Sequence, residues 1–134
     1  MSNTIQTIFY KTIAGNLTVT LNNNKIVTAQ FINDQTTIYS FITDYEFIFD
    51  GTPFQKLVWH AALQIPSGTT VTYQQLAARI GHPKAFRAVA NALGKNKIAY
   101  FIPCHRVIRK NGELGGYRWG IDVKKKLLQA EGAL

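Results

Sequence analysis

The side-chain period of this chain changes once, and that change limits the folds open to it. Before residue 51, apolar residues recur at every second position: Leu17, Val19 and Leu21 alternate with polar residues, as do Val27, Ala29 and Phe31. A period of two turns one face of a strand towards a core. Asn22, Asn23 and Asn24 separate the two runs, and asparagine tolerates the positive φ of a tight turn, so a β-hairpin is expected. Ile5 to Tyr10 is a candidate third strand. Residues 39–49 are rich in aromatic and β-branched side chains and suit either a strand or an irregular cover.

Beyond Gly51-Thr52-Pro53 the period becomes helical. Thr52 is placed to cap a helix with Pro53 at its first position and Gln55 completing a capping box. Phe54, Val58, Ala61 and Ile65 then share a face, and Pro66-Ser67-Gly68 ends the run. Thr72 and Gln75 repeat the capping box and open a second helix through Ile80. Gly81-His82-Pro83 is a turn, Ala85 to Leu93 a third helix, and Gly94 its expected stop. Two short helices joined through a glycine have the layout of a helix-turn-helix, although many αα corners share it. Asp122 is the expected cap of a last helix that runs to about Glu131 and carries Lys124, Lys125 and Lys126. The fold class is therefore α/β: a small N-terminal β unit followed by a helical region.

Charge divides at the same boundary. Of the whole-chain +8, residues 1–50 carry −2, while residues 51–134 carry +10, from 13 Lys and Arg against Glu113, Asp122 and Glu131. A basic segment of this kind points to a polyanion, nucleic acid first, or to simple solubility. At 134 residues with 46% hydrophobic content the chain has material for a real core. No apolar run approaches the ~20 residues of a membrane span, and the first residues have no basic n-region. A single cysteine forbids an internal disulfide and suits a reducing, intracellular compartment.

That cysteine is Cys104, in Ile102-Pro103-Cys104-His105-Arg106-Val107. A thiol followed by an imidazole and a guanidinium is expected to sit in a positive field that favours the nucleophilic thiolate. An inert, buried thiol is the plainer alternative, because Tyr100, Phe101 and Ile102 precede it.

Pro103-Cys104-His105-Arg106-Val107 resembles the active-site signature of the O6-alkylguanine-DNA alkyltransferases (methylated-DNA–protein-cysteine methyltransferases). The resemblance runs from about Phe54 to Gly132. It includes Val71 to Ala77 (VTYQQLA), Arg87-Ala88-Val89, Asn96, Gly116 to Gly120 (GYRWG), and Leu127-Leu128 followed by Glu131-Gly132. Six elements in family order and spacing are hard to obtain by chance.

The resemblance implies direct DNA repair by a protein that is consumed. An alkyl group passes from O6 of guanine to Cys104; His105 takes the thiol proton through a water, and Glu131 orients the imidazole, as in other activated nucleophiles. Asn96 braces the turn that carries the cysteine. Tyr73 donates towards guanine N3 and crowds the 3′ phosphate. Arg87 enters the base stack from the minor groove and fills the gap left by the flipped nucleotide. Lys84, Ala85, Ala88 and Arg106 are expected beside it on the DNA. Gly115, Gly116, Tyr117, Arg118 and Trp119, with Tyr73, are expected to wall the base pocket. Residues 1–50 are read as a small β-rich domain, truncated relative to the ribonuclease H-like one of relatives, and residues 51–134 as the DNA-binding and catalytic domain.

No metal and no cofactor is expected: the zinc of some relatives needs more ligands than one cysteine and His60, His82 and His105 provide. The expected partner is double-stranded DNA containing O6-alkylguanine, bound by a monomer. The resemblance departs at Phe86, where a small residue is common, and at Trp119, where some relatives have glycine. The rival readings are an alkyltransferase-like protein that flags lesions without repairing them, a cysteine hydrolase, and a transcription factor. In the first the cysteine is replaced, often by tryptophan; the second needs an oxyanion hole that no motif supplies; the third uses the helix-turn-helix alone, and the regulator domain to which some alkyltransferase domains are fused is not expected here.

Overall fold

A computed structural model describes residues 4–33 and 45–134. Strands β1 (Ile5–Thr12), β2 (Gly15–Asn22) and β3 (Lys25–Ile32) form an antiparallel meander, and the two-residue β4 (Glu46–Phe47) runs parallel to β3 at its edge. The expected asparagine turn is present: Asn23 and Asn24 take φ of 51° and 65° and join β2 to β3. Leu17, Val19 and Leu21 point into the core as the alternation requires. In β3 the alternation slips. A bulge at Thr20/Leu21 shifts the pairing, so Ile26 fills the core position and Val27 is only half-buried. One extra residue in a strand turns everything beyond it to the other face. Of the undecided stretch 39–49, residues 39–44 lie outside the described residues; 45–49 contribute β4 and the aromatic rings of Tyr45, Phe47 and Phe49.

Four helices follow: α1 (Pro53–Leu63), α2 (Tyr73–Arg79), α3 (Phe86–Gly94) and α4 (Ile121–Ala130). Both capping boxes form as read, Thr52 with Gln55 and Thr72 with Gln75. Gly94 is the last residue of α3 rather than its stop, and Lys95 is the C-cap in ordinary right-handed backbone. Asp122 does not cap α4. Gly120 holds that position at a φ of 105°, which lets the chain enter the helix from an extended loop, and Asp122 lies in the first turn. An acidic side chain there still complements the helix dipole.

A two-stranded parallel pair, β5 (Val71–Thr72) with β6 (Val107–Ile108), links the start of α2 to the chain just after Cys104. A single hydrophobic cluster takes in Leu17, Val19 and Ile26 from the sheet and Val58, Trp59, Leu76, Val89 and Ile102 from the helical part. Trp59 is central to it: it is 3% exposed and its indole N–H donates to the Ala92 carbonyl at 2.9 Å. The backbone also crosses between the two parts, since Ala29 and Ile98 form a parallel bridge. That bridge leads the chain into the cysteine segment.

Candidate active site

Between the Ala29–Ile98 bridge and β6 the chain has no regular ladder; local backbone turns and side-chain bonds hold it. Asn96 is 1% exposed. Its carbonyl oxygen accepts from the Ile98 N–H at 2.8 Å, and its amide donates to the Ile98 carbonyl at 3.1 Å and to Cys104 Sγ at 3.3 Å. Tyr100 takes a φ of 70° without being glycine, which turns the chain sharply ahead of Ile102-Pro103. Cys104, His105 and Arg106 then make one 3-10 turn. A turn of that pitch sends successive side chains in different directions.

Cys104 Sγ therefore does not share the partners of the two basic side chains beside it in sequence. His105 and Arg106 both turn to Glu131 at the end of α4. His105 Nε2 lies 3.0 Å from Glu131 Oε2. Arg106 donates from Nε to Oε1 at 2.9 Å and from Nη2 to Oε2 at 2.7 Å, and from Nη1 to the Ile65 carbonyl at 2.7 Å. This corrects two readings. Arg106, expected on the DNA, is committed to internal bonds that tie the cysteine turn to α4 and α1. The thiolate expected at Cys104 is not favoured either: burial pushes the thiol up to about 12 and outweighs the Asn96 hydrogen bond and the Lys124 charge, which pull the other way. At neutral pH the sulfur is therefore a thiol.

Burial alone would raise Glu131, but the hydrogen bonds and charges of His105 and Arg106 prevail and hold its carboxyl at about 2. Burial lowers His105 despite the Glu131 carboxylate, so the ring is neutral at pH 7. With Glu131 accepting from Nε2–H, the lone pair is on Nδ1, which is buried and has no protein partner among the described residues. A neutral imidazole oriented by a carboxylate is a base ready for a proton.

Of the three lysines on α4, Lys124 is set apart from Lys125 and Lys126. It is fully buried, and its ammonium donates to the Val107 carbonyl at 2.7 Å and the Gly116 carbonyl at 3.1 Å. It fastens the strand after Cys104 to the glycine-rich loop, and burial lowers its pKa to about 8 against the opposing influence of Cys104. Its spacing carried a signal: 124, 127, 128 and 131 form the inward stripe of α4, with Leu127 and Leu128 buried beside it.

The glycine-rich loop closes over the sulfur. A cavity of about 220 Å³ is lined by Cys104, Tyr73, Gly116, Tyr117, Arg118 and Trp119, together with Ala90, Leu93 and Gly94 of α3. Gly115, at a φ of 74°, presses so closely on Tyr73 that a Cβ would come within 2.8 Å of the phenol oxygen. Burial raises the Tyr73 phenol, which keeps it a hydrogen-bond donor. Tyr117 packs edge-on against both His105 and Trp119. Arg118 lies across the Trp119 ring at 5.6 Å and donates to the main-chain carbonyl of Asn96 at 2.8 Å, so the loop is tied to the cysteine brace.

A second, outer cavity of about 470 Å³ shares Tyr73, Ala90 and Gly116 with the first, and Gln74, Phe86, Arg87, Arg109, Lys110 and Asn111 complete it. Lys84, Arg87 and Ala88 are exposed and Ala85 half-exposed, at the turn before α3 and on its first turn. Arg109 and Lys110 are contributors that motif reading did not place here; only their positions just after the signature hinted at it, whereas Phe86, the departure beside Arg87, both packs against the core and lines this cavity. Among the described residues no group of three His, Cys, Asp or Glu side chains is arranged to hold a metal, and no helix is long and apolar enough to cross a membrane.

Residues 53–133 match the family described as 6-O-methylguanine DNA methyltransferase, DNA binding domain. The chain belongs to this family. It is 59% identical over 81 residues to the bifunctional transcriptional activator/DNA repair enzyme Ada of Escherichia coli, covering 60% of this chain and 23% of that protein. To the methylated-DNA–protein-cysteine methyltransferase of Kluyveromyces lactis it is 54% identical over 84 residues, 63% of this chain and 44% of the yeast protein. The chain thus spans less than half the length of these curated relatives. The crystal structure of Mycobacterium tuberculosis OGT in complex with DNA superposes with a TM-score of 0.81 at 33% identity, over 92% of this chain and 91% of that one. Family membership therefore extends, in fold, to the N-terminal sheet that the matched domain leaves out.

Proposed function

We propose that this protein repairs O6-alkylguanine in DNA by moving the alkyl group to Cys104 in a single displacement. The observation that carries the reading is the placement of Cys104 Sγ at a base-sized cavity walled by Tyr73, Tyr117 and Trp119, which opens into a cavity rimmed by Arg87, Arg109 and Lys110. Bonding and proton count balance without a cofactor. The S–C bond forms as the C–O6 bond breaks, the thiol proton passes through a water to His105 Nδ1, and guanine leaves with a proton or hydrogen bond supplied by Tyr73. The thioether is a stable product that water does not cleave, so the protein turns over once. Asn96 donates to the sulfur throughout, which stabilises the charge that develops there.

The target base lies inside the duplex and has to be rotated out, at a cost of a few kcal/mol. Arg87, on the exposed first turn of α3, is the residue proposed to occupy the vacated stack, with Lys84, Ala85 and Ala88 against the backbone. The partner is double-stranded DNA, bound by one copy of the protein inside the cell, and the +10 charge of residues 51–134 supplies an attraction indifferent to sequence. An alkyltransferase-like lesion binder is disfavoured, because the nucleophile is present in the pocket.

The test is intact-mass analysis after mixing with an oligonucleotide containing one O6-methylguanine. The expected result is a gain of one methyl group on Cys104 with a stoichiometric end point, and Cys104→Ala that binds DNA without repairing it. Several turnovers per protein, or repaired DNA with unmodified Cys104, would exclude the mechanism.

A further inference from the structure

The finger residue Arg87 starts α3 beside an aromatic side chain that no part of the transfer chemistry requires. Phe86 is half-buried, packed against the core, and its ring forms part of the outer cavity. The Arg87 guanidinium carbon lies 5.9 Å from the centroid of that ring. Phe86 and Arg87 are the first two residues of the helix, where the dipole repels a cation; the first turn has no acidic residue and Ala85 supplies no side-chain cap. Among the described residues no carboxylate pairs with Arg87. The electron-rich face of Phe86 is the compensation this site offers to the guanidinium.

We infer that Phe86 is a positioning residue for base flipping: its ring holds the Arg87 side chain at the mouth of the outer cavity, ready to enter the base stack. The inference rests on the proposed finger role of Arg87. A free arginine loses much rotamer freedom when it is fixed. A guanidinium already resting on a core-anchored ring has lost part of that freedom before DNA arrives, so less is lost during insertion. Cation–π contacts at exposed sites are worth about a two- to fivefold factor in an equilibrium or rate.

The experiment compares single-turnover rates on a duplex O6-methylguanine oligonucleotide and on free O6-methylguanine base. The proteins are the full chain and its Phe86→Leu, Phe86→Tyr, Arg87→Ala and Phe86→Leu/Arg87→Ala variants, with melting temperatures measured for each. Leucine keeps the buried bulk and removes the ring face; tyrosine keeps the face. Phe86→Leu should slow duplex repair about two- to fivefold, leave the free-base rate unchanged, and have no effect once Arg87 is alanine. Phe86→Tyr should restore the duplex rate. Equal slowing by Phe86→Leu with and without Arg87 would overturn the inference, as would a wild-type duplex rate for Phe86→Leu while Arg87→Ala is slow. A wild-type duplex rate for Arg87→Ala would instead overturn the finger role itself, and the inference with it.

Discussion

Replacing Asn96 tests how the cysteine segment is built. The side chain makes three bonds that nothing else replaces: one from the Ile98 N–H, one to the Ile98 carbonyl and one to Cys104 Sγ. Ile98 is 3% exposed, so in Asn96→Ala its N–H is left without water or partner, while its carbonyl keeps only a 3.4 Å contact from the Ile102 N–H. An orphaned buried amide costs about 1–3 kcal/mol, and the weakened carbonyl and the space left by the amide add to it. A total of about 3 kcal/mol corresponds, in a domain of this size, to roughly 10 °C in Tm.

Chemistry suffers separately. A donor to an anionic sulfur is worth about 1.5–3 kcal/mol, so folded Asn96→Ala, assayed well below its Tm, should transfer methyl roughly 10- to 100-fold more slowly. Asn96→Asp divides the two effects. Its carboxyl keeps the acceptor for the Ile98 N–H and, when protonated, a donor for the carbonyl, so mild acid should recover part of the lost Tm. At neutral pH an anion 3.3 Å from the sulfur raises the thiol further, so none of the rate returns. Differential scanning fluorimetry and rapid-quench transfer assays measure both. An Asn96→Ala protein with wild-type Tm, or a stable one with wild-type rate, would refute the brace.

Two further outcomes follow from the site. Glu131 is held at about 2 when folded against an ordinary 4.5, so its contribution, about 3 kcal/mol, is complete above pH 4.5 and disappears as pH falls towards 2. The lowered His105 acts in the same sense, because only the unfolded chain takes that proton just below pH 6.5. Glu131→Gln should therefore be less stable at pH 7 and lose much less on acidification; parallel denaturant midpoints against pH for the two proteins would disprove the linkage. Trp119 lines the sulfur pocket, and overpacking a formed site typically costs ~1–3 kcal/mol. O6-benzylguanine should thus react much more slowly than O6-methylguanine in DNA, and Trp119→Gly should narrow the gap; an unchanged benzylguanine rate in that variant would remove Trp119 as the gate.

Local rules carried a good part of the fold. Both capping boxes, the Asn23-Asn24 turn and the inward face of β2 depend on neighbours within four residues, and they form as the residue types dictate. The bulge that exchanges Ile26 for Val27 does not, because it arises from pairing with another strand. The motif from Pro103 to Val107 named the candidate nucleophile, but it could not say which neighbours would face the sulfur. Adjacent cations in a sequence suggest a thiolate; a 3-10 turn sends His105 and Arg106 to a carboxylate 26 and 25 residues away and leaves the thiol with Asn96.

Lys124 shows the same division within one helix. Its spacing with Leu127, Leu128 and Glu131 is that of one helix face, but a lysine on that face is not by its residue type a buried one. Burial of an ammonium is tolerable only where acceptors are already in place, and the Val107 and Gly116 carbonyls come from two distant segments that the chain brings together. The sequence by itself determined where most of the helices and strands lie, two of the helix caps, and which residue is the candidate nucleophile. Tertiary structure decided the electrostatic surroundings of its sulfur, because a charge acts through distance and burial, and neither is set by position along the chain.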